Sequence, residues 1–371
     1  MSSPTIQQLA NELGVNKATV SRALSGKPGV SDGVRRRILE MADQRGFFPN
    51  GQARSLATSR TETIALVFCD ETSDFLTNPF YSKVLAGIAT ETEKHEFSLA
   101  FCSLLTDRLG RSPLPKIMRE RRADGYLFVG DQDDALIRYA HNLNYPLVLV
   151  DHRFGGGRFD SVAINNMDGA RKAVDYLISL GHSRIGFVGG SLRSPSFEER
   201  LSGYREALAT HQIPFDESRV QVGASYAGRE NMLSLLNLPE TPTAVFVCND
   251  VNAAKAIKAI NEKNLKVPDD ISVVGFDDSF RASECWPQLT TMRVDAEVMG
   301  RMAVRRLVER IAKETTAPEQ IFLDAELVVR GSTGFPKQGR RSAGSRKIQQ
   351  TKGKSNQPKE QYHDAQSVNP I

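Results

Sequence analysis

Lys17, Ala18, Ser21 and Arg22 fall close together near the start of the chain. On a helix, positions 17 and 21 stand one turn apart, as do 18 and 22, so the four share one outward face. Base reading is the chemistry that such a face can do. Arg22 can give paired N–H donors to guanine O6 and N7, and Lys17 can reach a guanine or a phosphate. Ala18 offers a methyl that suits a thymine C5-methyl or no contact at all. The bland alternative is a solvated helix face, and these residues by themselves leave it open.

The elements that must position this face are legible around it. Thr5 is placed as an N-cap, and Ile6, Leu9, Ala10 and Leu13 give a helical apolar stripe that ends at Gly14. Asn16 caps a second helix with Val20, Ala23 and Leu24 inward, stopped by Gly26. Ser31 opens a third, with Val34, Ile38, Leu39 and Ala42 inward and Gly46 at its end, before Pro49-Asn50-Gly51 breaks the chain. A helix-turn-helix needs a small residue at the crossing, a Gly in the turn and a branched apolar anchor on the second helix. Ala10, Gly14 and Val20 occupy those places, which turns the start of the second helix toward a major groove.

Charge is distributed unevenly. Residues 1–60 hold 9 Lys and Arg against 4 Asp and Glu, and residues 336–371 hold 8 against 2. The 275 residues between them hold 31 against 38, so two basic ends flank an acidic body. That pattern points to a polyanion held at the ends rather than over the whole surface. No apolar signal core and no apolar run near 18 residues is present, so a cytoplasmic location without a membrane span is expected. Cys69, Cys102, Cys248 and Cys285 are scattered without a CxxC pair, as expected of free thiols in a reducing compartment.

From Thr63 the pattern changes to short apolar runs: TIALVFC, FSLAFCSLL, YLFVG, PLVLVD, SVAIN, RIGFVGG, TAVFVCND and ISVVGFDD. Helical stretches such as GARKAVDYLISLG separate most of them. Strands apolar throughout, alternating with helices, predict parallel sheets covered on both faces, hence an α/β core of two lobes. No catalytic or cofactor site is expected. IGFVGG and FGGGRF match neither GxGxxG nor GxxxxGKS, and Ser191–Ser196 lacks a Gly-x-Ser-x-Gly setting. That serine-rich stretch reads as a mobile loop between a strand and a helix. Six His with no HExxH or CxxC spacing give no metal site.

The segments TIQQLANELGVNKATVSRALSG and VRRRILEMADQRGFFPNGQARSLATSRTETIALV resemble the LacI/GalR family of bacterial transcriptional regulators. The resemblance runs to about residue 332 and implies a periplasmic-binding-protein-like core behind the headpiece. It implies a helix-turn-helix headpiece over 1–49, a hinge over 50–61 and a two-lobed core over 62–335. The first lobe is then 62–161 with 293–335, the second 162–292, and 336–371 reads as a disordered basic tail. Candidate DNA contacts are Thr5, Asn16, Lys17, Ala18, Thr19, Ser21 and Arg22, with Asn50, Ala53, Arg54 and Leu56 in the hinge. In the family a hinge leucine wedges a central minor-groove step, a place that falls on Leu56 here. Gly51 lowers hinge helicity by about 1 kcal/mol, so folding of the hinge on DNA is expected.

Ligands of such cores bind at the carboxyl ends of the strands, where this chain carries Asp151, Arg153, Asn249, Asp250 and Asp277. The resemblance adds Arg200 and Tyr226, and NPFY sets Phe80 and Tyr81 just before a first-lobe helix. Asn249 and Asp250 could equally cap a helix, and the three aromatics could be core. His152 stands where the family commonly has Arg. Carboxylates, an amide and a guanidinium around aromatic faces suit a sugar or sugar derivative, with a nucleobase or nucleoside as the alternative. The expected protein is a repressor of sugar transport or catabolic genes, a homodimer on a near-palindromic double-stranded DNA operator. An activator remains open, as does the sign of the effector's action. The tail either adds non-specific DNA affinity or only solubilises. A solute-binding protein shares the core but would need export.

Overall fold

The computed structural model describes residues 4–47, 60–69, 75–104, 114–154, 158–224, 226–313 and 317–337. Three helices come first: α1 (Ile6–Leu13), α2 (Lys17–Leu24) and α3 (Asp32–Gln44). The Thr5 hydroxyl accepts from the Gln8 amide at 3.3 Å and Gln8 Oε1 accepts from the Thr5 amide at 2.7 Å, closing a capping box on α1. Gly14 ends that helix at φ 67°, a left-handed turn open to glycine without strain. Asn16 Oδ1 then accepts from the Thr19 amide at 2.7 Å and starts α2. The three helices close on Leu9, Ala10, Val20, Ala23, Ile38, Ala42 and Phe47. Leu39, expected inward, is 47% exposed. Ile38 takes the inward direction, and its neighbour is rotated about 100° from it.

The remainder is α/β. In chain order come β1 (Thr63–Cys69), α4 (Pro79–Lys94), β2 (Ser98–Leu104), α5 (Lys116–Arg119), β3 (Gly125–Val129), α6 (Asp134–Asn142), β4 (Leu147–Val150) and β5 (Ser161–Ile164). The second lobe holds α7 (Asn166–Ser179), β6 (Ile185–Val188), α8 (Pro195–Thr210), β7 (Val220–Gln221), α9 (Gly228–Leu236), β8 (Ala244–Val247), α10 (Asp250–Glu262), β9 (Ser272–Asp277), α11 (Phe280–Glu284) and β10 (Thr290–Arg293). Then α12 (Ala296–Ala312) and β11 (Gln320–Leu323) return to the first lobe, and β12 (Glu326–Val328) to the second.

One sheet runs β11-β5-β4-β3-β1-β2, all parallel, and the other β12-β10-β9-β8-β6-β7 with β12 antiparallel. Every residue of β3, β4 and β8 is buried, as covered parallel strands require. Helices α4 and α12 touch backbone to backbone. A Cβ on Gly87 would stand 2.0 Å from the Glu297 carbonyl oxygen, and one on Gly300 2.2 Å from that of Val84.

The lobe boundaries differ from expectation at two places. Strand β5 pairs with β4 and β11, so the first lobe runs to Ile164 rather than 161. Beyond β11 the chain leaves that lobe again. Met292 pairs with Leu327, and the Ser332 hydroxyl donates to the Val273 carbonyl at 2.6 Å, so 326–337 belongs with the second sheet.

Candidate nucleic-acid interface and effector cleft

Helix α2 presents Lys17, Ala18, Ser21 and Arg22 to solvent, while Val20 and Ala23 are buried beneath them. Neither Lys17 nor Arg22 has an ion-pair partner among the described residues. The face is therefore two unpaired cations, a methyl and a hydroxyl on a short rigid helix, a set able to donate to base edges and phosphates. Thr5, Asn16 and Thr19 bond within the helix starts: the Thr19 hydroxyl donates to Asn16 Oδ1 at 2.8 Å. Arg35, not singled out from sequence, donates to the Ala23 and Lys27 carbonyls at 3.2 and 2.7 Å and holds the end of α2. Asn50, Ala53, Arg54 and Leu56 lie outside the described residues.

Between the lobes, Asp151 leaves β4 at φ 53° and Asp277 ends β9 at φ 110°. Both are left-handed conformations that a non-glycine residue adopts at a cost of about 1–3 kcal/mol. Asp151 Oδ2 accepts from the Tyr81 hydroxyl at 2.9 Å, and Oδ1 accepts from the Ser196 hydroxyl at 3.2 Å, across the cleft. Burial pushes the Asp151 carboxyl up to about 6, opposed by Arg200 and the Tyr81 bond. Burial beside these carboxylates likewise holds the Tyr81 phenol well above its usual range.

Arg200 forms the floor on the second-lobe side. Its Nε donates to Asn166 Oδ1 at 2.9 Å, its Nη1 donates to the Cys248 carbonyl and to Asp277 Oδ1 at 3.4 Å, and the guanidinium sits 3.7 Å from the Phe276 ring centre. Asp277 is raised well above its ordinary value because burial outweighs the attraction of Arg200. Asp151, Tyr81, Arg200 and Asp277 are thus brought together.

Other expected contacts are used elsewhere. Asn249 caps α10, accepting from the Asn252 amide at 2.9 Å. Asp250 is fully buried and accepts from the Ser279 amide at 2.7 Å and the Thr291 hydroxyl at 2.5 Å, inside the second lobe. Phe80 is buried edge-on against Tyr81, and both open α4 under the Asn78 cap rather than precede it. Arg153 turns away from the cleft floor, donating to Glu199 Oε1 at 2.5 Å and lying over the Phe322 ring. Tyr226 is at the mouth, where its hydroxyl accepts from Asn78 Nδ2 of the other lobe at 3.3 Å.

Sequence reasoning missed Asn166, Ser196 and Phe276, which orient Asp151 and Arg200. Ser196 lies in the first turn of α8 rather than in a mobile loop, and Pro195 at that helix start was the available signal.

Among the described residues no helix is long and apolar enough to cross a membrane. Two family models match: bacterial regulatory proteins of the lacI family over residues 5–50, and a periplasmic binding protein-like domain over 174–333. The HTH-type transcriptional regulator CelR of Thermobifida fusca is 33% identical over 336 residues, covering 89% of this chain and 98% of its own. The HTH-type transcriptional repressor CytR of Escherichia coli K12 is 31% identical over 333 residues, covering 89% and 96%. A solved complex of CelR with cellobiose superposes with a TM-score of 0.67 at 32% identity, covering 89% of this chain and 99% of that one. The lac repressor dimer bound to operator and an anti-inducer gives 0.78 at 25% identity, covering 90% and 100%. The exposed face of α2, the two-lobed core and these likenesses agree: the chain belongs to the lacI family of bacterial regulatory proteins, transcriptional regulators rather than enzymes.

Proposed function

We propose that this chain is a repressor of sugar transport or catabolic genes, released or recruited by a sugar or sugar derivative bound between its lobes. Lys17, Ala18, Ser21 and Arg22 read the major groove of each half of a near-palindromic operator. One short helix supplies too little specificity alone, so the acting form is a homodimer. Leu56 is assigned the central minor-groove wedge from sequence, with Ala53 and Arg54 beside it and Asn50 at the backbone.

The observation that carries the reading is the set of contacts that span the lobes. Asp151 meets Ser196, Arg153 meets Glu199, Asn78 meets Tyr226, and Lys83 Nζ donates to the Asp278 carbonyl at 3.1 Å. A ligand seated on Asp151 and Arg200 adds to the same set and biases lobe closure, which moves the first lobes that lead to the headpieces.

Genomic fragments captured on the purified protein at moderate salt, then sequenced, test it. Enrichment of a few near-palindromes beside transport or catabolic genes supports the reading. Retention only at low salt, without a shared site, refutes it.

A further inference from the structure

We propose that the second lobe holds a second ligand site, at the amino ends of its strands, which takes a small organic carboxylate with an apolar body on Arg184. This site lies outside the regulator reading and does not depend on what the cleft binds.

A cavity of about 450 Å³ opens at that end of the sheet, a size that suits a small metabolite. Three turns build it: the one from α7 into β6, the one that leads into β8 and the one from α10 into β9. Pro336 and Lys337 close it on the remaining side. The segment before them is fixed. Gly334 exchanges two bonds with the Ser272 hydroxyl, at 3.0 and 3.2 Å, and its carbonyl accepts from His182 Nε2 at 2.9 Å. Thr243 on the cavity wall and Cys248 on the cleft floor lie at opposite ends of β8, a span of about 16 Å in extended chain. The cavity is therefore separate from the cleft.

Arg184 lines this cavity, and its Nε is buried with no hydrogen-bond partner among the described residues. Nor does Arg184 form an ion pair among them. Buried polar atoms are nearly always satisfied, so this one calls for an acceptor. The acid on the wall is already used. Asp270 Oδ2 accepts from the Lys266 amide at 2.8 Å, and its Oδ1 pairs with the Lys337 ammonium. The Thr243 hydroxyl is used as well. His182 Nε2 must donate to the Gly334 carbonyl, and burial keeps the ring neutral, so Nδ1 accepts from Thr243 at 2.9 Å.

The walls select among ligand classes. A carboxylate supplies the missing acceptor and cancels the charge, and its plane matches the guanidinium fork. A neutral amide supplies an acceptor and leaves the charge. A dianionic phosphate calls for a second cation, and Lys337 is held by Asp270. The hydroxyls of Ser183 and Thr241 stand on the polar side, whereas Leu180, Pro242, Leu265 and Ile271 face the rest of the ligand. That wall suits a hydrocarbon body rather than a polyol.

The test is calorimetric titration of the full-length protein with benzoate, phenylacetate and 3-methylbutanoate, each against its own amide, and with phenyl phosphate. At least one carboxylate should bind with Kd below about 1 mM, and its amide at least tenfold more weakly. Arg184→Gln should weaken that carboxylate at least tenfold. Ser183→Trp, which fills the cavity and keeps the charge, should do the same. Thermal unfolding of both variants should stay near that of the parent. Asp151→Asn, altered only in the cleft, should bind the carboxylate as the parent does. The proposal falls if no carboxylate binds at that concentration, or if the amide or phenyl phosphate binds as well. It falls equally if Asp151→Asn loses the carboxylate while Arg184→Gln and Ser183→Trp keep it.

Discussion

Arg153 and Glu199 join the two lobes: Nη1 of the first, on the exit of β4, meets Oε1 of the second, on α8, at 2.5 Å. Glu199 Oε2 also accepts from Asn166 Nδ2 at 3.1 Å, and Asn166 in turn orients Arg200. A half-exposed pair of this kind adds less than about 1 kcal/mol to stability. The expected effect of the pair is instead on which lobe arrangement is populated. Glu199→Gln and Arg153→Ala should each weaken effector binding about threefold with little change in unfolding free energy. The double variant should be no worse than either single one in a mutant cycle read by calorimetry.

Arg200 is buried on its stacked partner Phe276, and Asp277 depends on it for compensation. Arg200→Ala leaves a buried carboxylate unopposed and should cost about 3 kcal/mol in urea unfolding. Effector binding should vanish at the same time. A loss below about 1 kcal/mol would show that the guanidinium does not hold the second-lobe floor.

Asp151 titrates near 6 in the folded protein because burial disfavours its charge, against about 4 in an unfolded chain. The folded state therefore holds more protons between those values, and stability falls as pH rises from about 4 to about 6. Above that window the charged form costs about 2–3 kcal/mol. Asp151→Asn removes the charge, so it should raise stability at pH 7.5 and flatten the pH profile of urea unfolding. It should also abolish the effector response. Asp250, buried and likewise raised to about 6, contributes to the wild-type slope in the same direction.

Arg22 and Lys17 are exposed, and neither packs into the headpiece core of Leu9, Val20 and Ile38. Arg22→Ala should leave thermal unfolding unchanged, weaken operator binding by about 1–3 kcal/mol and relax preference at one base pair of each half-site. Lys17→Ala, if it removes a phosphate contact, should weaken all sequences alike and lower the salt slope by about one unit. A mobility-shift series over salt and single-base operator variants separates the two.

Two strand-end aspartates mark the limit of what sequence could say. After TAVFVC and after ISVVGF the chain offers Asp250 and Asp277, each an acid at the end of an apolar run. Only the fold separates them. Asn249 starts α10 and turns Asp250 inward onto Ser279 and Thr291, whereas the backbone at Asp277 turns left-handed beside Arg200. Chain proximity puts Arg153 and Phe80 near the cleft, but side-chain direction takes Arg153 to Glu199 across the lobes and not to the floor, and buries Phe80 against Tyr81. Pro195 marks the helix that carries Ser196, but nothing local marks what Asn166 and Ser196 contact, because their partners stand 34 and 45 residues away.

Sequence by itself determined the headpiece and the parallel sheets, since helix caps, the Gly14 turn, strand periodicity and the exposed face of α2 are set within a few residues. The tertiary structure alone decided the cleft. Its members come from separate crossovers between two sheets, so their distances, burial and shared charge exist only once the lobes have packed.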